Sequence, residues 1–502
     1  MKILLTTLNK RENNIDLNLA YLYSIAAPSK MDIVMQEFAI DDDNDYIYTE
    51  LMRGAYDIIY FQCCDRNLKR ILDLCRNTKK AKTGIQIILG GESVSYCSRE
   101  IMENEEEVDF VIRGETEIPF FQLCREIVTG DYMIGRVNNL TYRNGESICE
   151  TSDAPLPVMR KLKFPYEEIE LERLSRVEYE TARGCPYRCA FCTSSTTGSV
   201  RNLPLERVVK EIDFLLDKDP KAVRFRDKPF NVEREFTEAV WQHIIDNDNG
   251  CTTFEFNVQT EKLDRKEFEL LQKARAGLFR FNVRVESLNL YTLQEVGRDK
   301  NIDPVLFGIR SLKDVEGVRV IVNLMAGLPY DDNKTFAHTF NSIVRTEPDE
   351  IRIGFLRLKH GTKLFDDREK YGYVYSDSQP HELISNDFIS SMDVVKLKMI
   401  ASVVDKFYNG GYFRRTLKTL CSETETSGFN LYERLAEFYF GRRYQHNKKE
   451  KAEDLYRIIF EYTMKQEPRM PGITEKVVPL IREDMEENLS DEQIETLRNR
   501  EV

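Results

Sequence analysis

Ten residues near the middle of the chain, Arg183-Gly184-Cys185-Pro186-Tyr187-Arg188-Cys189-Ala190-Phe191-Cys192, carry three thiols in a Cys-x-x-x-Cys-x-x-Cys spacing. Soft thiolates on one short loop can each bind a different iron of a [4Fe-4S] cluster and leave the fourth iron open to a substrate. Zinc is the competing metal, but structural zinc takes four ligands, usually from two separated pairs, and the histidine nearest in sequence is His243. Three inert packed thiols are the other alternative. Gly184, Pro186 and Arg188 make the segment an irregular polar loop, so cluster binding fits it better than either.

The other eight cysteines, Cys63, Cys64, Cys75, Cys97, Cys124, Cys149, Cys251 and Cys421, are scattered, most of them in apolar surroundings. They read as small core residues and receive no chemistry. No signal peptide is expected at the N-terminus and no apolar run is long enough to span a bilayer, so the chain reads as cytoplasmic and the thiols as reduced. The formal charge of -13 gives no global basic field, which argues against a nucleic-acid partner and leaves a small or locally bound substrate as the default.

The elements that must position the loop form two α/β series. In the first, strands are expected over 2–7, 31–40, 56–62, 85–89 and 109–112, with helices over 15–27, 68–76 and 98–103. This predicts a doubly wound, Rossmann-like sheet, which binds ligands at the carboxyl ends of its strands. Leu89-Gly90-Gly91-Glu92-Ser93 and Arg113-Gly114-Glu115-Thr116 are turns of that kind. A proline-spotted stretch over 151–176 reads as a linker.

The second series has strands over 177–181, 222–225, 254–259, 279–285, 318–325 and 350–356, separated by helices such as 205–216, 233–246 and 265–274. Six such units predict a partial (β/α)6 barrel. Beyond this, 393–409, 430–440 and 450–465 read as amphipathic helices. The domains expected are therefore 1–150, a barrel over 177–372 and a helical region over 373–502. A local excess of Arg414, Arg415, Lys418, Arg442, Arg443, Lys448 and Lys449 reads as a solvated helix face.

The cysteine spacing, with the aromatic Phe191 before the last thiol, resembles the radical S-adenosylmethionine (SAM) superfamily. The resemblance covers about residues 177–364 and implies that SAM chelates the open iron and is cleaved reductively to a 5'-deoxyadenosyl radical. It further implies SAM contacts at Phe191, Asp227, Gln259, Glu286, Ser287 and Gly327, all but Phe191 at carboxyl ends of expected strands. As residues, the polar ones could equally be helix caps or loop ion pairs.

The α/β domain ahead of the motif is similar to the cobalamin-binding subgroup through Leu5 to Asn9, Leu89 to Glu92 and Asp109 to Glu115, and the run from Leu356 to Leu364 with its helical tail to a poorly characterised branch of that subgroup. That implies a cobalamin cradle at Leu8, Gly90, Gly91, Glu92, Ser93, Gly114, Glu115 and Thr116. The first 242 residues contain no histidine, so the Asp-x-His-x-x-Gly mode of ligating cobalt from below is absent here. A domain that has lost the cofactor is the alternative.

The resemblance implies C-methylation of a small molecule or peptide side chain, with a reductant such as flavodoxin or ferredoxin as partner. A radical rearrangement, cyclisation or crosslinking without methyl transfer is the competing enzyme reading. A nonenzymatic iron–sulfur or cobalamin sensor, and an RNA methylthiotransferase, fit less well, the latter for want of a second cysteine triplet.

Overall fold

The structure is a computed structural model that describes residues 1–9, 15–29, 31–169, 175–195, 200–423, 428–442 and 450–498. It divides into two compact units: residues 1–257 with 357–369 and 375–382, and residues 258–356 with 370–374 and 383–502.

The first unit begins with a seven-stranded sheet in the order β2-β1-β3-β4-β5-β6-β7. Its strands are β1 Lys2–Asn9, β2 Asp32–Ala39, β3 Ile58–Gln62, β4 Gln86–Gly90, β5 Phe110–Ile112, β6 Leu140–Asn144 and β7 Ser147–Glu150. The first five pair in parallel; β6 and β7 close the edge as an antiparallel hairpin. Alternation along β1 explains the two-sided packing. Ile3 and Leu5 join a core with α1, Leu17–Ala26, and α2, Glu117–Thr129, whereas Leu4 and Leu8 join one with helices 44–53 and 68–81.

The same unit continues into three parallel strands in the order β8-β9-β10, here Arg176–Tyr179, Ala222–Phe225 and Thr253–Val258, the last reaching its boundary. One face buries Tyr179, Phe225 and Phe256 against α3, Leu205–Leu216, and α4, Arg234–Asp246: the Tyr179 hydroxyl donates to Glu211, and Trp241 lies edge-on to Phe256. The proline-spotted stretch packs on this layer as well. Phe164 meets Tyr166, Tyr179 and Phe214 edge to face, and the Tyr166 hydroxyl donates to the Glu178 carbonyl.

The second unit holds β11 Phe279–Glu286, β12 Val318–Ala326 and β13 Glu350–Phe355, also parallel, followed by helices. All six expected strands of the second series are thus present, three per unit, and the α/β class with a helical C-terminal part holds. Of the basic excess, Arg415 pairs with Asp484 and Glu487, Lys418 with Glu347, and Arg442 with Glu461. Arg443, Lys448 and Lys449 lie outside the described residues. Among the described residues no helix is long and apolar enough to cross a membrane.

Candidate functional site

The three cysteines leave the end of β8 on a turn-rich loop. Cys189 is buried, Cys185 and Cys192 are half-buried, and the Cys192 amide donates to the Cys189 carbonyl at 3.0 Å. The loop is pinned from afar, because the Leu364 amide donates to the Ala190 carbonyl at 2.9 Å. Phe191 is half-buried beside them. Among the described residues no three Cys, His, Asp or Glu side chains gather as the ligands of one metal ion would. A cluster asks for something else, since each thiolate takes its own iron, and three soft donors on one loop fit that demand.

Beside this loop the first unit encloses a cavity of about 580 Å³. Leu8, Gly91, Glu92, Gly114, Glu115 and Thr116 line it from the strand ends of the first sheet, and Gly184, Thr193 and Ser194 from the cysteine loop and its continuation. Gly90 and Ser93 do not line it. Ser93 donates to Asp65 at 2.8 Å, beside a small neighbouring cleft.

Several of the expected contacts prove to hold protein. Glu115 accepts from Arg183 at 2.9 Å and from Arg201, and Arg183 also pairs with Glu117 and Glu180 and lies over the Tyr21 ring. The residue two before Cys185 is thereby fixed to the first sheet. Glu92 accepts from the Thr193 hydroxyl, next to Cys192, and from Lys359 at 3.2 Å. Burial pushes the Glu92 carboxyl up, but Lys359, Thr193 and Lys228 outweigh it and hold it below the usual range.

The glycines differ in kind. A Cβ on Gly90 would lie 2.1 Å from the Tyr60 hydroxyl, and one on Gly91, at φ +112°, would lie 2.3 Å from the Cys63 carbonyl. Both are therefore required by the protein's own packing. Gly114, at φ +68°, is open: its Cβ would approach only Asn139, at 3.8 Å. The cavity thus has a glycine-lined cradle at Gly114, and no histidine lies within it. That chemistry fits a corrin bound without an imidazole ligand.

Asp227 is buried at the end of β9, where both carboxylate oxygens accept from the Thr181 amide, at 3.1 and 3.2 Å, and one from its hydroxyl. It shapes the exit of β8 four residues before Cys185. Burial lifts its pKa to about 7 despite these donors. A raised native pKa means that the native state binds the proton more tightly, so the stabilisation is complete below the unfolded value near 3.8 and is lost as pH rises through about 7. Asp227→Asn, which keeps an acceptor for Thr181, should melt progressively higher than the parent as pH goes from 5 to 8, by up to about 1.4 kcal/mol per pKa unit realised. Parallel melting curves at all pH values would remove this role.

In the second unit Glu286 ends β11 at φ 63°, beside a register shift between Arg284 and Glu286. Its side chain is 3% exposed and accepts no hydrogen bond among the described residues. Burial raises its pKa, opposed by Arg284 and Arg298. A nearly buried carboxylate on a positive-φ strand end is chemically able to hold a cationic or donor ligand group. Next to it, Ser287 bonds Asp331, which also accepts from Thr335 at 2.7 Å while its other oxygen has no partner among the described residues. Asp331 was not expected from the sequence; its signal is the acidic pair directly after Gly327-Leu328-Pro329-Tyr330. Gly327 faces Leu383, which a Cβ would strike at 2.0 Å, and its carbonyl accepts from Tyr373 and Asn386. Gln259 follows β10 at the start of a single 3-10 turn.

Comparison with known families agrees with this layout. The B12 binding domain model matches residues 5–123, the radical SAM superfamily model residues 179–343, and a model described as a protein of unknown function, DUF4080, residues 369–494. The chain thus carries a B12 binding domain ahead of a radical SAM domain. The cofactors of these two domain types are cobalamin, and SAM with a [4Fe-4S] cluster.

The anaerobic magnesium-protoporphyrin IX monomethyl ester cyclase of Rubrivivax gelatinosus is 22% identical over 325 residues, 60% of this chain and 58% of that protein. The 2-(S-pantetheinyl)-carbapenam-3-carboxylate methyltransferase of Streptantibioticus cattleyicolor is 24% identical over 324 residues, 59% and 46% respectively. The chain spans about half the length of these two relatives. In fold it is similar to the cobalamin-dependent radical enzyme OxsB with aqua-cobalamin bound, at TM-score 0.67 and 14% identity over 99% of this chain and 83% of that one. It is also similar to the methyltransferase TsrM of Kitasatospora setae with cobalamin and a [4Fe-4S] cluster bound, at TM-score 0.62 and 15% identity over 76% and 79%.

Proposed function

We propose that the chain is a cobalamin-dependent radical SAM methyltransferase that adds a methyl group to a carbon of a small molecule or a peptide side chain. The observation that carries this reading is the single cavity lined both by strand ends of the B12-type sheet and by the cysteine loop. When bound, the cofactors supply one-electron cleavage of SAM and a transferable methyl group. Cys185, Cys189 and Cys192 hold the cluster; Gly114, Leu8 and Thr116 border the corrin; Glu286, with Ser287 and Asp331 behind it, holds the amino or ribose donors of SAM. Arg183 and Thr193, tied to Glu115 and Glu92, fix both ends of the cysteine loop and so orient it. The domains follow as 1–150, 177–372 and 373–502. The enzyme works in the reducing cytoplasm with a flavodoxin- or ferredoxin-type donor and without nucleic acid.

A cyclase-type radical reaction without methyl transfer is the second reading, favoured by the cyclase relative. Products distinguish them. Methyl transfer yields S-adenosylhomocysteine beside 5'-deoxyadenosine in anaerobic turnover with a reductant, and a steady output of deoxyadenosine alone would transfer the assignment to the second.

Within either reading, Glu286→Gln should weaken SAM binding about ten- to hundredfold, the worth of one charge-assisted hydrogen bond, with iron content unchanged. Equilibrium binding that matches the parent would take Glu286 out of the site.

A further inference from the structure

The layer of side chains that β8, β9 and β10 turn toward the cavity is charged where parallel barrels ordinarily place bulky branched residues. Alternation along the strands is strict. Val177, Tyr179, Val223, Phe225, Phe254 and Phe256 are buried on the helix side, while Arg176, Glu178, Arg224 and Glu255 occupy the other. Strand register sets Glu178, Arg224 and Glu255 side by side, because Arg224 is level with Glu178 across β8 and with Glu255 across β10. Arg176, Glu178, Arg224 and Arg226 all line the cavity. Such a floor costs desolvation and adds no apolar packing, so a polar occupant is what it serves.

Among the three guanidiniums of this floor, Arg176, Arg224 and Arg226, the pairings leave Arg224 without a hydrogen bond. Arg226 takes Glu178, Arg176 takes Glu255, and Arg183 takes Glu180, Glu115 and Glu117. Glu92 accepts from Thr193 and Lys359, and the Asp16 carboxylate accepts the Asn18 and Leu19 amides. Arg224 makes no hydrogen bond among the described residues; its nearest carboxylate is Glu178, already held by Arg226, at 3.8 Å. Its side chain is 41% exposed, and burial pulls its pKa down against the pull of Glu178 and Glu255. Arg224 thus opens into the cavity with only the 3.8 Å ion pair to Glu178 and no hydrogen bond from its donor fork among the described residues.

We infer that Arg224, flanked by Arg176 and Arg226, is the anchor for an anionic substrate, a carboxylate or a phosphate monoester, on the cavity floor. The inference rests on the reading of this cavity as the place of reaction. A planar fork with five N–H donors recognises two oxygens of such a group at once, which fixes the orientation of the substrate as well as its position. Attachment at one charged end leaves the carbon to be modified to be set by distance from the floor.

The test is calorimetric titration of the full chain, without added cofactors, using three probes: glutarate, inorganic phosphate and the neutral isostere glutaramide. At least one anion should bind while glutaramide does not, and the anion that binds tells carboxylate from phosphate. Arg224→Gln should weaken that anion at least tenfold, Arg224→Lys should recover only part of it, and Arg265→Gln, at a 91% exposed position, should leave it unchanged. Silence from both anions, equal binding of glutaramide, or unaltered binding in Arg224→Gln would each overturn the proposal. The probe comparison on the parent chain decides even if a variant fails to fold. Iron and corrin contents after reconstitution, measured separately on the parent and on Arg224→Gln, report on the cofactor reading without depending on the anion result.

Discussion

Alanine at Cys185, Cys189 or Cys192 is expected to empty the cluster site and stop deoxyadenosine formation altogether. On the proposed reading three thiolates hold one cluster, so removing one leaves an iron exposed to solvent and the assembly open to loss. The measurement is iron and sulfide content with the visible charge-transfer band after anaerobic reconstitution, followed by deoxyadenosine assay. The other cysteines give the contrast. Cys75 is buried in the apolar layer under the first sheet, where burial drives its thiol pKa far up, and Cys75→Ala should cost packing stability while retaining the iron. Full iron in any variant of the loop would remove the assignment.

The second large effect concerns the corrin. Cobalamin supplied during anaerobic expression should be retained, and its cobalt(II) form should give an electron paramagnetic resonance spectrum without nitrogen splitting from a lower ligand. No histidine lies in the first 242 residues, and none lines the cavity, so no protein imidazole is placed to ligate cobalt there. A clear nitrogen triplet would refute this. The matched substitution is Gly114→Asn, because asparagine tolerates the left-handed backbone at φ +68° and its side chain would occupy the cradle. It should lower corrin content several-fold with the iron unchanged. Gly91→Val, the substitution the sequence alone would suggest, is unsuited, since its side chain meets the Cys63 carbonyl before it meets any ligand.

That difference shows where the sequence is informative. Periodicity is local, so the β-rich runs at the first five strands and the six of the second series are legible, and the cysteine spacing carries its chemistry within ten residues. The helix over Asn44–Arg53 is hidden because only Ile47 and Leu51 face the core, too few to set a period. The helix α2 is masked by Pro119 in its first turn, a position that proline tolerates. Roles decided by partners far along the chain leave no local trace. Glu115 reads as a ligand contact in Arg-Gly-Glu-Thr, yet Arg183 and Arg201, 68 and 86 residues away, take both its oxygens. Glu92 meets Lys359 across 267 residues. Gly90 and Gly91 look the same in sequence as Gly114; only the positions of Tyr60 and Cys63 separate room for the protein from room for a ligand.

The return of residues 357–369 and 375–382 to the first unit has a consequence for synthesis on the ribosome. Lys359 reaches Asp65 and Glu92, Gln379 donates to the Ser93 carbonyl at 3.3 Å, and Leu364 holds the cysteine loop at Ala190. None of these ties exists when Asn257 leaves the exit tunnel. At roughly 5–20 residues per second, the stretch to Glu382 takes about 6–25 s more, during which the three thiols sit on a loop lacking its late support. Stable cluster insertion is accordingly an event that follows translation of Glu382, and nascent chains arrested between these two points should acquire iron poorly even though all three thiols have already emerged.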